Sequence, residues 1–168
     1  MAMTAAALQL KTACDAAYDA NMQSCSNAVW DVIKAVWKKD EPYRTANDLI
    51  TEMTAKWSDV DIELGYSLAN LGKVVVGGKT AVPNGHVVVI YPGSKISNGG
   101  YQYYWPKTKT YLTLTGKDLY PRALSTSISF GRTNAWPGTM SKGDKTVWDP
   151  WGSDTAFAEV TFWTPKLT

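Results

Sequence analysis

Histidine is almost missing from this chain: among 168 residues there is one, His86. Cysteine is nearly as scarce, represented by Cys14 and Cys25 alone. Two cysteines exclude a disulfide-dense scaffold. With one histidine and no ligand spacing around it, no zinc site is expected. No Gly-x-Ser-x-Gly elbow is present, which removes that form of serine hydrolase. Carboxylates are too scattered to nominate a glycosidase pair, and Asp59, Asp61 and Glu63 read as a solvated helix entrance. Gly77-Gly78-Lys79-Thr80 ends like a phosphate loop but lacks the preceding spaced glycine. Neither cofactor nor metal is expected.

Charge of one sign is also missing. The formal net charge is +2, and lysines and arginines are dispersed, so nothing argues for a nucleic-acid partner. No apolar run approaches the roughly 20 residues that span a bilayer, so membrane insertion is not expected. Met1 to Leu10 is alanine-rich but has neither a basic n-region nor a long apolar core. It is a poor Sec signal, and synthesis in the cytoplasm without Sec export is the expectation. What the chain has in abundance is aromatic surface, with 8 tryptophans and 9 tyrosines. A surplus beyond the core suits a groove lined for sugar or peptide.

The length predicts one domain, residues 1–168, with a real core. The first 70 or so residues read as helices and the remainder as short strands, a segregation that predicts an α+β fold. Helices are expected over Ala5 to about Asp19, Ser24-Cys25 to about Lys38, Thr45 through Met53, and Ile62 to Asn70. Val29, Val32, Ile33, Val36 and Trp37 recur at helical spacing, Cys25 shares their face, and Ser24 is placed to cap. Glu41-Pro42 stops that helix. Thr45-Ala46-Asn47-Asp48 resembles a capping box with Asp in place of Glu.

Strands are expected at Lys73–Val76, closed by Gly77-Gly78, and at His86–Tyr91, ended by Pro92-Gly93. Others are expected at Tyr101–Trp105, Tyr111–Leu114, Ser125–Phe130 and Ala156–Trp163, with Asn134–Gly152 a long ordered loop. No repeat and no low-complexity linker is present.

Imidazole is the usual base for a thiol nucleophile, and only one imidazole exists to serve. Cys25 in the first turn of a helix lies at the positive end of its dipole, which favours thiolate. His86 at the head of an apolar strand supplies a second device if that strand packs beside the helix. Gly85 before it removes a side chain where substrate would approach. Backbone N–H groups at the helix start can form an oxyanion hole. The plainer reading stands beside this one. A cysteine on an apolar helix face is more often a small core residue, and a lone histidine at a strand edge is usually structural. A disulfide between Cys14 and Cys25 in an oxidising compartment would abolish the nucleophile.

Three blocks then speak together: Gln23-Ser24-Cys25-Ser26-Asn27-Ala28-Val29, Leu68-Ala69-Asn70-Leu71-Gly72-Lys73-Val74-Val75-Val76-Gly77, and Gly85-His86-Val87-Val88-Val89-Ile90. In these, over roughly residues 20 to 95, the chain resembles the papain-like NlpC superfamily of peptidoglycan cysteine amidases. More narrowly it resembles the small type VI secretion amidase effectors. The resemblance implies a papain-like fold, with N-terminal helices packed on a C-terminal antiparallel sheet.

It further implies Cys25 as nucleophile, His86 as base, and a third residue on a later strand that orients the imidazole. Ser125 is the candidate for that role and Ser127 the next. Gln23, in the region of the oxyanion site, Ser24 and Gly85 are then expected beside the substrate. Tyr101, Tyr103, Tyr104 and Trp105, with Trp136 and Trp151, are aromatic candidates for the groove. The implied activity is hydrolysis of an amide in bacterial peptide stems or crosslinks, in the periplasm of a target bacterium. The implied partners are peptide stems, a secretion apparatus and a cognate immunity protein. A phage or housekeeping wall hydrolase of the same superfamily is the nearest alternative. A non-catalytic, aromatic-rich wall-binding module is the alternative from another class.

Overall fold

In the computed structural model, residues 2–37 and 41–166 are described. The amino-terminal helix α1, Ala5–Ala20, starts where the Thr4 hydroxyl accepts from the Ala7 N–H, and buries Ala7, Leu10, Cys14 and Ala17. Their three- and four-residue spacing gives one apolar stripe. Helix α2, Cys25–Trp37, buries Ala28, Val29, Trp30, Val32 and Ile33. The Ser24 hydroxyl accepts from the Asn27 N–H at 3.3 Å, as expected of a cap. The expected helix end near Lys38 lies outside the described residues.

Helix α3, Ala46–Lys56, is capped by Thr45, whose hydroxyl accepts from the Asp48 N–H. After a short strand β1, Ser58–Val60, helix α4 covers Ile62–Asn70 with Asp61 as its cap. The carboxylates read as a helix entrance thus include the capping group itself.

The remaining chain is mostly strand: β2 Val76–Lys79, β3 His86–Ser97, β4 Tyr101–Trp105, β5 Thr110–Leu114, β6 Leu119–Ser125, β7 Ser141–Thr146 and β8 Thr161–Thr164. Five of these join β1 in one sheet, and β4 and β5 form another. The larger is antiparallel in the order β1-β8-β2-β3-β6-β7, and β4-β5 is a separate hairpin. Central β3 buries Val87, Val88, Val89 and Ile90 completely. Helices α1, α2, α3 and α4 all touch β3. The fold is mixed α+β, helices against an antiparallel sheet, as the segregation of patterns predicts. Among the described residues no helix is long and apolar enough to cross a membrane.

Several expected strand limits are corrected. Gly77-Gly78 does not close a strand but lies inside β2. A Cβ on Gly77 would come within 2.5 Å of the Phe162 ring, and one on Gly78 within 2.9 Å of Val87, so neighbouring side chains occupy that space. Strand β3 runs through Pro92-Gly93 to Ser97, with a register shift between Tyr91 and Ile96. There the Asn70 side chain accepts from the Gly93 N–H and donates to the Gly93 carbonyl, which satisfies the backbone that the sheet abandons.

Ser125 ends a strand rather than starting one. Beyond it the Ser127 hydroxyl accepts from the Ser129 N–H, and the Ser127 carbonyl from the Phe130 N–H, so local serine bonds turn the chain. Ala156–Trp163 is not one strand. Ser153 caps a one-turn helix α5, Asp154–Phe157, before β8. The loop expected over Asn134–Gly152 contains a 3-10 turn at Pro137–Thr139 and the edge strand β7.

Candidate active site

Helix α2 and strand β3 bring Cys25 and His86 to one open cleft of about 370 Å³. Gln23, Ser24 and Ser26 line its helix side, Thr45 and Ala46 enter from the start of α3, and Asn84 and Gly85 from the approach to β3. Ser127, Ile128, Thr139 and Pro150 close the far wall. Both cysteines are free thiols, Cys14 on the buried face of α1 and Cys25 half-buried at the cleft, so the pairing of Cys14 with Cys25 does not occur.

The third expected residue is in contact. His86 Nε2 lies 2.9 Å from the Ser125 hydroxyl oxygen, and that hydroxyl donates to the Thr139 carbonyl at 2.7 Å. A serine hydroxyl has one proton to give. Since the carbonyl can only accept, that proton is spent on Thr139, and Ser125 accepts from His86. Nε2 therefore carries the imidazole proton, and Nδ1 is the basic nitrogen. Ser125 is only 1% exposed, so neither bond exchanges readily for water. Trp151 meets the imidazole edge-on, with ring centroids 5.5 Å apart.

Burial governs the charges. It lowers the pKa of His86 from 6.5 to about 4. Burial raises the Cys25 pKa, while the backbone N–H groups of Val87, Ser26 and Cys25 itself pull the other way. Each group alone is therefore neutral at neutral pH. Moving the thiol proton to the imidazole makes two opposite charges in one cleft, and their attraction acts against the cost of burying either. Backbone N–H groups of Val87, Ser26 and Cys25 favour that charged form of the sulfur. The arrangement is chemically equipped for nucleophilic attack by thiolate, with proton return through imidazole.

The other expected residues divide. Gln23, Ser24 and Gly85 line the cleft. The glycine is required for a different reason from the one expected, because a Cβ on Gly85 would come within 2.4 Å of Asn47 Oδ1 and 2.8 Å of the Lys79 carbonyl oxygen. It admits α3 to the foot of β3 rather than clearing a path for substrate. Ser127 lines the cleft, but its hydroxyl bonds Ser129, not His86.

Tyr104 and Trp105 are not in the cleft; they belong to the separate β4-β5 hairpin. Strand alternation turns Tyr101 and Tyr103 onto Trp136 and sends Tyr104 to the opposite face, against Tyr111. Sequence reasoning missed the Thr139 carbonyl, Thr45 and Pro150. The one signal for two of them was the pair of aromatic turns, Trp136-Pro137-Gly138-Thr139 and Asp149-Pro150-Trp151-Gly152. The Trp136 indole N–H donates to the Asp149 carbonyl at 2.6 Å and ties those turns together. No protein-family model matches this chain, and no curated protein matches it.

Proposed function

We propose that this protein is a cysteine amidase of papain-like, NlpC type that hydrolyses an amide bond in the peptide stems or crosslinks of bacterial peptidoglycan. The observation that carries the catalytic part is the chain of bonds from Thr139 through Ser125 to His86, which leaves Nδ1 basic in the cleft that holds Cys25. The substrate class rests on the resemblance of the Cys25, Leu68–Gly77 and His86 blocks to that superfamily. So does delivery as a type VI secretion effector into a rival's periplasm, with an immunity protein guarding the producer.

In this reading the Cys25 thiol passes its proton to His86 Nδ1, and the thiolate attacks the stem carbonyl. Nε2–H stays bonded to Ser125, so the imidazolium keeps its orientation. Negative charge that develops on the carbonyl oxygen meets N–H groups at the start of α2, with the Gln23 amide at the same rim. Collapse expels the amine, which takes its proton from Nδ1. Water, deprotonated by the same nitrogen, then releases the acid and restores the thiol.

Digestion of diaminopimelate-type sacculi, with the products separated and weighed, tests this. Wild type yields new stem fragments whose masses name the bond, Cys25→Ala yields none, and Ser125→Ala yields them more slowly. Fragments from purified Cys25→Ala, or intact muropeptides from folded, reduced wild type, overturn the proposal.

A further inference from the structure

The β4-β5 hairpin has two unlike faces. Its inner face is structural: Tyr101 and Tyr103 pack on Trp136, and the buried Asp149 carboxylate accepts from the Tyr101 hydroxyl and the Gly99 N–H. In the register Gln102↔Thr113 and Tyr104↔Tyr111, those four side chains share the outer face. Tyr111 is 68% exposed, Gln102 and Thr113 are exposed, and Tyr104 is half-covered with its ring centroid 5.5 Å from that of Tyr111. No core is formed by placing aromatic rings there, so the folded chain gains little from them.

The charge on this hairpin is of one sign. From Tyr101 to Lys117 the chain carries Lys107, Lys109 and Lys117 and no carboxylate. Lys117 reaches Asp154 at 3.7 Å, but Lys107 and Lys109 at the tip have no carboxylate partner among the described residues. Lys107 stands over the Trp105 ring, 5.8 Å from its centroid.

We propose that this outer face binds the glycan strand of the bacterial wall, at a site separate from the catalytic cleft. The identity of the glycan rests on the proposed wall substrate; the chemistry of the face stands independently. Tyrosine rings offer apolar faces to the C–H side of a pyranose. Gln102 and Thr113 offer amide and hydroxyl groups to ring substituents. The lysines without a carboxylate partner match a polymer whose stems carry carboxylates and whose sugars expose theirs where stems are removed. Such a site holds the enzyme on its polymer while the cleft works on a stem, which raises the local concentration of substrate.

The test uses the uncleaving Cys25→Ala protein and its Cys25→Ala/Tyr104→Ala/Tyr111→Ala derivative. Each is sedimented with sacculi, and with glycan strands stripped of their peptides. The proposal expects Cys25→Ala to bind both, and the added tyrosine changes to weaken binding by at least about tenfold. Tyr111→Ala alone, at a side chain mostly in solvent, keeps the comparison valid if the triple variant folds poorly. In an otherwise wild-type chain, Tyr111→Ala is expected to leave turnover of a soluble stem fragment unchanged and to slow digestion of whole sacculi. Equal retention of parent and variants overturns the proposal, as does capture by anionic lipid vesicles with none by stripped glycan. If wild type fails to cleave yet glycan retention still depends on the tyrosines, the amidase reading falls and this site remains.

Discussion

Ser125 decides which nitrogen of His86 is the base, and it does so by having only one proton. Because the Thr139 carbonyl takes that proton, the imidazole must donate from Nε2. Burial then holds the ring neutral, with a pKa of about 4 against 6.5 for an unburied histidine. Between these values the unfolded chain binds a proton that the folded chain refuses. The contribution of His86 to stability is thus full above pH 6.5 and is lost as the pH falls toward 4, at up to about 1.4 kcal/mol per pH unit. Melting temperature measured from pH 7 to pH 4 should fall less steeply for His86→Asn than for wild type. Parallel curves would show that the folded and unfolded chains protonate His86 alike, so that burial does not hold the ring neutral. The site was partly legible in the sequence: a sole histidine, a cysteine at a helix start and a serine further on. The acceptor behind the serine was not, since a carbonyl belongs to every residue and only folding selects Thr139.

Helices were legible because their stripes and caps agree, as in α4, where Asp61, the apolar face and Gly72 mark start, side and end. Strands were less so, since glycine and serine have different meanings in different packing. In β2 the glycines make room for the Phe162 ring and Val87 instead of ending the strand. Gly77→Ala is accordingly expected to destabilise the protein by about 1–3 kcal/mol in denaturant unfolding. Phe162→Leu in the same chain should recover part of that loss; no recovery would place the strain elsewhere. Strand β7 escaped notice because Ser141-Lys142-Gly143-Asp144-Lys145-Thr146 has the composition of a turn. It lies at the sheet edge, where charged residues discourage pairing with another molecule. Lys142 there bonds Asp19 of α1 and ties the edge to the helical layer.

Across the whole molecule the two sulfurs report different levels of opening. Cys14 lies fully buried on the inner face of α1, and Cys25 half-buried at the cleft. Titration of the native protein with a thiol reagent should find one reactive group, abolished by Cys25→Ala, and the second should appear only on unfolding. Two thiols reacting at equal rates would mean that α1 detaches far more readily than its packing allows.

The same burial bears on how long the protein lasts outside a reducing cell. A sulfur held in its protonated form is a slow partner for peroxides and for foreign disulfides, both of which consume thiolate. With no second cysteine within reach, it also has no internal route to a dead-end crosslink. For an enzyme proposed to work in an oxidising compartment, a dormant nucleophile is a means of preservation.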